Sequence, residues 1–409
     1  MAHALAGKPV QEQDIIDVQT IVDAYFDNVP DMTNPTQLVS FGTSGHRGTS
    51  VDGTFTDLHV AAITQAICDG RKQFGATGPI FVGQDTHALS QPALVTVLEV
   101  LAGNGVTAMV DCDMAFVPTP SVSRAIIRYN EEHDDKADGI IITPSHNPPD
   151  NGGIKYNTII GGPADTVVTK WIEMRANEYL TAYCESEDFK RISIDNIEPT
   201  AQVPYDYKGL YVEELGDVIN MEAIKAAGPK VLVDTLGGSG ASYWNAIKER
   251  YGLDLTIIHD DYDPTFSFMT YDHDGKVRMD CSSTYVMASV INRIGDFDLA
   301  VGNDPDYDRY GIVVSSGLIS ANTFLTLAAR YLFTTRGWKN KGVGKTVVCT
   351  TMIDKWAADA ETPVFEVPVG FKYFSQLLFD GAIGIGGEES AGASFLKKGG
   401  DGPPGGVRH

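Results

Sequence analysis

Cysteine is scarce in this chain of 409 residues. The five cysteines are odd in number, widely spaced and without a CxxC pair: Cys68, Cys112, Cys184, Cys281 and Cys349. This arrangement argues against a disulfide framework and against a zinc site, and it favours a reducing compartment.

Long apolar runs are missing as well. No run reaches the ~18 residues that a membrane helix needs. The N-terminal sequence MAHALAGKPVQEQD lacks the apolar core of a secretory signal. We therefore expect a soluble, cytoplasmic protein that has no membrane partner.

Basic residues are greatly outnumbered by acidic ones. Lys and Arg total 31 against 54 Asp and Glu, which gives a net charge of −23 with His neutral. Because such a surface repels phosphate backbones, a nucleic-acid partner is not expected. A small anionic substrate would need a local cluster of Lys and Arg.

The composition nevertheless suits folded domains. Hydrophobic residues make up 43% of the chain and charged residues 21%, which supplies enough apolar side chains for hydrophobic cores and excludes wholesale disorder. At about 150 residues per domain, the length predicts nearly three domains.

Short β-branched runs alternate with amphipathic stretches of helical length. The predicted helices include Leu58–Phe74, Pro92–Asn104 and Thr323–Thr335. The predicted strands are Ile80–Gly83, Thr107–Val110, Gly139–Thr143, Val231–Asp234, Leu255–Ile258, Leu299–Gly302, Thr346–Cys349, Val364–Val367 and Ala382–Gly386. This alternation predicts an α/β fold with parallel or mixed sheets. Polar, glycine-rich segments follow several strands, where open α/β sheets bind ligands.

Changes in composition suggest the domain boundaries. We expect a first domain over residues 35–200, a second over 201–320 and a third over 321–398. The charged stretch Cys184–Gln202 has no clear periodicity and is interpreted as a linker. Residues 399–409 form a Gly/Pro-rich tail with little apolar content, which is not expected to continue a packed domain.

The first segment with chemical character is TPSHNPPDNGGIKYN, at residues 143–157 after an apolar strand. Its prolines stiffen a turn that would expose the Ser145 hydroxyl, with His146 and Lys155 close in sequence. A rigid hydroxyl beside cationic groups suits a nucleophile or a phosphate carrier. From the local sequence alone, a plain Pro/Asn turn is an equal alternative.

The second segment is GNDPDYDRYG, at residues 302–311. Asp304, Asp306 and Asp308 alternate, so an extended loop would put three carboxylates on one side, where a cation such as Mg²⁺ would relieve their repulsion. An EF-hand would need Gly and Glu where Arg309 and Ser315 stand. A solvated acidic turn is the alternative, although Arg309 would offer a phosphate contact beside the metal.

Three weaker segments complete the set. Glu388 and Ser390 in GGEESAG suit hydrogen bonding to a polyhydroxyl ligand, or could cap a helix. Arg47 lies in the loop FGTSGHRG, which could close over a phosphate, and VGFK adds a cation at Lys372 after Gly370. The segments FGTSGHRG and VGFK are each also consistent with an ordinary loop.

Taken together and in this order, over residues 41–392, these segments resemble the α-D-phosphohexomutase family. The long serine loop with GGIKYN is most similar to its bacterial phosphoglucomutase branch. The resemblance implies three similar α/β domains with a smaller fourth one around a central cleft. It also implies interconversion of glucose 1-phosphate and glucose 6-phosphate through glucose 1,6-bisphosphate, with Mg²⁺ as the metal and a hexose phosphate as the substrate.

The resemblance also assigns roles to residues. Ser145 matches the family's phosphoserine, whose phosphate completes the Mg²⁺ site of the three aspartates. His146 and Lys155 are candidates for proton transfer. The remaining matches are to positions around the transferring phosphoryl and in the substrate-binding loops: Arg47, Lys155, Arg309, Gly370, Lys372, Glu388 and Ser390.

The sequence departs from the family pattern near its end. The match runs to about Leu396, followed by KKGGDGPPGGVRH, with nothing resembling the phosphate-gripping fourth domain. We therefore expect a third domain that ends abruptly and a mutase of impaired activity. The alternatives are a non-catalytic remnant that binds metal and sugar phosphate, and a phosphomannomutase or phosphoglucosamine mutase. A hydrolase is weaker, because Gly237–Ala241 misses the final Gly of GxSxG. The oligomeric state is left open.

Overall fold

The computed structural model describes residues 2–42, 44–184, 189–398 and 407–408. The chain divides into two compact units. The N-terminal unit comprises residues 11–207 with 262–267, and the C-terminal unit comprises 208–261 and 268–409 with 1–10.

The N-terminal unit is built on a six-stranded mixed sheet in the order β1-β5-β4-β2-β3-β6. Its strands are β1 (His46–Thr49), β2 (Ile80–Gln84), β3 (Ala108–Asp111), β4 (Asp138–Ile142), β5 (Asn151–Asn157) and β6 (Gln202–Tyr205). Its helices are α1 (Val18–Asp27), α2 (Asp57–Gly70), α3 (Ser90–Gly103), α4 (Thr119–Glu132) and α5 (Thr166–Cys184). β2 and β4 are buried along their whole length, as expected of central parallel strands covered on both faces.

The C-terminal unit contains two five-stranded mixed sheets. The first has the order β11-β10-β9-β7-β8 and comprises β7 (Val231–Asp234), β8 (Leu255–Ile258), β9 (Leu299–Asn303), β10 (Tyr310–Val314) and β11 (Gly317–Ile319), with α6 (Tyr207–Val218), α7 (Met221–Ala227), α8 (Ala241–Tyr251) and α9 (Ala288–Ile291). The second has the order β13-β12-β14-β15-β16 and comprises β12 (Gly342–Thr346), β13 (Val364–Val367), β14 (Ile383–Gly387), β15 (Ala393–Leu396) and β16 (Val407–Arg408), with α10 (Ala321–Arg336), α11 (Met352–Asp359) and α12 (Lys372–Phe379).

The predicted α/β class with three consecutive domains and mixed sheets is therefore confirmed. Each sheet combines parallel pairs, such as β7 with β9, and antiparallel pairs, such as β9 with β10. Among the described residues, no helix combines the length and the apolarity needed to cross a bilayer.

One predicted strand was wrong. Thr346–Cys349 was expected to be extended, but the strand is Gly342–Thr346, and Val347 and Val348 lie in an exposed turn. The small residues of β12 are needed for packing, because a Cβ at Gly342 would lie 2.4 Å from the Phe365 ring. Close packing against an aromatic ring outweighs the β-propensity of the two valines.

The prediction of a linker over Cys184–Gln202 was also wrong for its described part. Arg191 forms ion pairs of 2.6 Å with Asp57 and Glu99, which attach this segment to α2 and α3. The chain then continues into β6, which pairs in parallel with β3. The segment shows no apolar periodicity because ion pairs, rather than an apolar face, attach it to the domain. Of the predicted tail at 399–409, only the backbone of β16 lies within the described residues, and it pairs with β15.

Candidate active site

Ser145 lies in a tight turn just beyond the end of β4. Its backbone has φ of 62°, in the left-handed region that non-glycine residues seldom adopt. The Ser145 amide donates to Thr143 Oγ1 at 2.7 Å, and Ser145 Oγ lies 3.3 Å from His146 Nδ1. The residue is only 1% exposed. The prediction that this turn would expose the hydroxyl was therefore wrong, because the bond to Thr143 draws the turn towards the buried Asp85.

A buried hydrogen-bond network supports this turn. The fully buried Asp85 carboxylate accepts from Thr143 Oγ1 and Ser90 Oγ, each at 2.6 Å, and lies 2.8 Å from His87 Nδ1. His87 Nε2 lies 3.1 Å from the carbonyl oxygen of Asn147, two residues after the serine. Burial raises the pKa of Asp85, but His87 and the hydroxyl donors more than offset this, so that its pKa is lowered. The network therefore favours an ionised carboxylate behind the turn.

Lys155 lies on β5, the strand next to β4, and Arg47 lies on β1, which pairs with the other edge of β5. Lys155 pairs with Ile141 of β4, and Arg47 pairs with Gly153 across β1 and β5. A Cβ at Gly45 would lie 3.0 Å from Lys155 Cγ, so the loop just before Arg47 packs against β5. The sheet register thus places Lys155 on the strand that follows the serine turn and Arg47 one strand further along the sheet.

The three predicted metal ligands come together between β9 and β10. Carboxylate oxygens of Asp304, Asp306 and Asp308 lie within 4.8 Å of one another, and the first two residues are fully buried. The loop is closed by two further bonds. The Arg309 amide donates to Asp304 Oδ1 at 3.0 Å, and Asn303 Nδ2 donates to the Arg309 carbonyl oxygen at 2.9 Å.

The electrostatics of this loop fit a bound divalent cation. Burial, together with the charges of Asp306 and Asp308, raises the pKa of Asp304 well above its ordinary value. Three mutually repelling carboxylates are a set of hard oxygen ligands of the kind that Mg²⁺ prefers. Burial lowers the pKa of Arg309, but Asp308 and Asp304 more than offset it, so the guanidinium is firmly charged.

In the C-terminal unit the predicted sugar loop, GGEESAG at residues 386–392, contacts both the end of the aspartate loop, residues 304–308, and the VGFK segment, residues 369–372. The Tyr310 amide donates to the Ala391 carbonyl oxygen at 3.1 Å, which joins the end of the aspartate loop to GGEESAG. The Gly370 amide donates to Glu388 Oε1 at 2.9 Å, and Lys372 begins α12 directly afterwards. Burial raises the pKa of Glu388. Ser390, in the same loop as Glu388, is half-buried.

The candidate residues thus form two groups. Ser145, His146, Lys155 and Arg47 lie in the N-terminal unit, and the aspartates with the two predicted substrate-binding loops lie in the C-terminal unit. Neither Asp85 nor His87 was predicted from the sequence to have a role. The sequence signal that could have revealed them is Asp85 followed by His87 and Ser90, directly after β2.

Family comparison identifies the chain. Models of the phosphoglucomutase/phosphomannomutase α/β/α domains I, II and III match residues 38–182, 210–317 and 320–404 respectively. The chain belongs to the phosphoglucomutase/phosphomannomutase family. The predicted resemblance is therefore confirmed, and the three sheets correspond to domains I to III of this family.

Two relatives illustrate the similarity. A phosphoglucomutase from Komagataeibacter xylinus is 48% identical over 400 residues, which covers 97% of this chain and 72% of that protein. Phosphoglucomutase 1 from Saccharomyces cerevisiae is 29% identical over 381 residues, covering 86% of this chain and 64% of the yeast protein. The chain therefore spans roughly two thirds to three quarters of these family members.

Solved structures show the same fold. Parafusin, a phosphoglucomutase from Paramecium in an open form, superposes with a TM-score of 0.71 at 20% identity. The match covers 91% of this chain and 69% of the parafusin chain. A phosphoglucomutase/phosphomannomutase family protein from Burkholderia thailandensis superposes with a TM-score of 0.65 at 21% identity. The match covers 87% of this chain and 73% of the Burkholderia chain.

Proposed function

We propose that this member of the family is a phosphoglucomutase that carries a phosphoryl group on Ser145. The observation that carries the proposal is the left-handed turn, which places the Ser145 hydroxyl 3.3 Å from His146 Nδ1. Lys155 lies on β5, which follows the turn, and Arg47 lies on the next strand of the sheet, β1. Phosphoryl transfer depends mainly on positioning and on charge neutralisation, and this arrangement offers both.

The proposed reaction consists of two balanced transfers. The bond between phosphorus and Ser145 Oγ breaks as the C6 hydroxyl oxygen of glucose 1-phosphate bonds to phosphorus. The proton of that hydroxyl passes by way of His146 or Lys155 to Ser145 Oγ. Glucose 1,6-bisphosphate then returns its C1 phosphoryl group to Ser145 Oγ, and the proton moves back to the C1 oxygen, which releases glucose 6-phosphate.

The C-terminal unit would supply the metal and the sugar contacts. Asp304, Asp306 and Asp308 are proposed to hold Mg²⁺, which would neutralise charge on the phosphoryl oxygens. Arg309 would contact the phosphate directly. Glu388 and Ser390 would hydrogen-bond to sugar hydroxyls, and the Gly370–Lys372 loop would contact the substrate.

Glucose is the proposed sugar. The relative that shares 48% identity over 97% of this chain is a phosphoglucomutase, which favours glucose over mannose or glucosamine. Turnover of mannose 1-phosphate or glucosamine 1-phosphate above that of glucose 1-phosphate would redirect the proposal to one of the related mutases.

The test follows phosphate and turnover together. After incubation with glucose 1,6-bisphosphate, peptide mapping should place one phosphoryl group on the peptide containing Ser145, and a coupled assay should show glucose 6-phosphate formation. Ser145→Ala should lose both, whereas Ser193→Ala, at an exposed position, should keep both. Full phosphorylation of Ser145→Ala would refute the assignment.

A further inference from the structure

A glycine-rich turn joins β7 to α8. This turn, at residues 235–240, resembles part of a hydrolase motif in sequence but lies directly against the aspartate loop. Its partners there are Pro305 and Tyr307, the residues on either side of Asp306.

The first contact fixes the peptide that precedes Asp306. The Ser239 amide and the Ser239 hydroxyl both donate to the Pro305 carbonyl oxygen, each at 2.8 Å. This oxygen belongs to the peptide that joins Pro305 to Asp306, so two donors from one residue set the plane from which Asp306 extends. Ser239 is 3% exposed, and water therefore competes little for the acceptor.

The second contact fixes the residue that follows Asp306. The Tyr307 ring packs on Gly240, where a Cβ would lie 2.2–2.6 Å from three ring atoms. Only glycine permits this approach. Tyr307 itself has φ of 63°, so its ring and backbone are both held in an uncommon conformation.

We propose that Ser239 and Gly240 are positioning residues that hold the aspartate loop in its metal-binding shape. This inference rests on the proposed function, in which Asp304, Asp306 and Asp308 bind Mg²⁺. The three carboxylates repel one another before the metal arrives, and a loop free to move would separate them. Because both neighbours of Asp306 are held in place, the three carboxylates stay close together. Less free energy is then lost in ordering the loop when the cation binds.

Two variants test the two contacts in the full chain. Ser239→Ala removes one donor to Pro305 and should weaken Mn²⁺ binding about three- to tenfold, the range expected for one ordinary hydrogen bond. Gly240→Ala forces the Tyr307 ring away and should weaken binding more strongly. Gly295→Ala is the matched control, because a Cβ there meets no atom within 4 Å, and it should bind as the wild type does.

A double-mutant cycle that combines Gly240→Ala with Tyr307→Ala distinguishes a positioning role from general destabilisation of the fold. In a Tyr307→Ala background the ring is gone, so adding Gly240→Ala should change the Mn²⁺ affinity less than twofold. The Mg²⁺ concentration for half-maximal activity should rise in Ser239→Ala and Gly240→Ala, while kcat at saturating Mg²⁺ changes little. Should Gly240→Ala fail to fold, the affinity of Ser239→Ala decides.

The outcomes are distinguishable by calorimetric titration with Mn²⁺ and by thermal unfolding. Binding by the wild type that is lost in Asp306→Ala supports the metal site, and weaker binding in the Ser239 and Gly240 variants supports the clamp. A lowered Tm with unchanged Mn²⁺ affinity in these variants would overturn the clamp and leave the metal site intact. Absence of binding in the wild type would overturn both.

Discussion

The Thr143 hydroxyl donates a hydrogen bond of 2.6 Å to the Asp85 carboxylate, and both residues are fully buried. The same hydroxyl accepts from the Ser145 amide at 2.7 Å. A non-glycine residue in the left-handed region costs on the order of 1–3 kcal/mol and persists only when its surroundings hold it there. Thr143 thus links the unusual backbone of Ser145 to a charge fixed in the core.

Replacing Thr143 by valine should weaken this link. Thr143→Val keeps the shape but removes a donor to Asp85 and the acceptor of the Ser145 amide, so we expect a loss of about 1–3 kcal/mol in the free energy of unfolding. Phosphorylation of Ser145 by glucose 1,6-bisphosphate, followed by intact mass, should slow. Thr143→Ser retains the hydroxyl and should recover most of both properties; equal phosphorylation rates in the wild type and the valine variant would contradict the role.

The sequence predicts the strands near Asp85 and Thr143, but it does not predict that these two residues contact each other. Val231–Asp234 and Leu255–Ile258 match their predicted strands to the residue, because continuous apolar runs mark buried strands. The same signal places Asp85 after the predicted strand Ile80–Gly83 and Thr143 at the end of the predicted strand Gly139–Thr143. Their contact depends on the parallel pairing of Gln84 with Ile142, across 58 residues of sequence, and a single sequence does not specify that register.

The aspartate loop shows the same limit. The alternation of Asp304, Asp306 and Asp308 predicts converging carboxylates, and the structure brings them within 4.8 Å. The support from Ser239 and Gly240 was not predictable, since it comes from a turn more than 60 residues away. Spacing within one loop can be read from sequence, whereas packing between loops requires the fold.

Removing one aspartate should abolish most of the metal affinity. Asp306→Ala leaves a hard cation without one of its ligands, and we expect at least about a tenfold loss in Mg²⁺ affinity by calorimetry. Asp306→Asn should also raise the Tm of the metal-free protein, because it removes a buried carboxylate that repels its two neighbours. Asp296→Ala, at an exposed position in the same domain, should change neither quantity; unchanged Mg²⁺ affinity in Asp306→Ala would exclude this metal site.

The sugar loop is fixed by Glu389 as well as by Glu388. Thr346 Oγ1, at the end of β12, donates to Glu389 Oε2 at 2.7 Å. Thr346→Val removes this donor at constant shape and should loosen the loop that presents Glu388. We expect the KM for glucose 1-phosphate to rise about three- to tenfold, with a smaller change in kcat. Thr334→Val, at an exposed position of α10, is the matched control; steady-state kinetics that leave KM unchanged in Thr346→Val would show that Glu389 does not position the loop.

A buried histidine should make the N-terminal unit sensitive to acid. His59 Nδ1 accepts from the Thr56 amide at 3.2 Å, and Nε2 faces the Gln37 carbonyl oxygen at 2.8 Å, which suits a neutral ring protonated on Nε2. The His46 ring stacks on it at 5.3 Å. Burial, with a smaller contribution from His46, lowers the pKa of His59 to about 4. Burial likewise lowers the pKa of His46.

The sign of the effect follows from these pKa values. Between the ordinary value of 6.5 and about 4, the unfolded chain binds the proton and the folded chain does not, so stability falls as the pH falls. At pH 5 the loss from His59 is about 2 kcal/mol relative to pH 7.5. His59→Gln cannot titrate, and its free energy of unfolding should therefore fall less over this range in urea titrations. His273→Gln, whose native side chain is 67% exposed, should keep the wild-type pH dependence. A pH dependence in His59→Gln as steep as that of the wild type would show that His59 is not the acid-sensitive group.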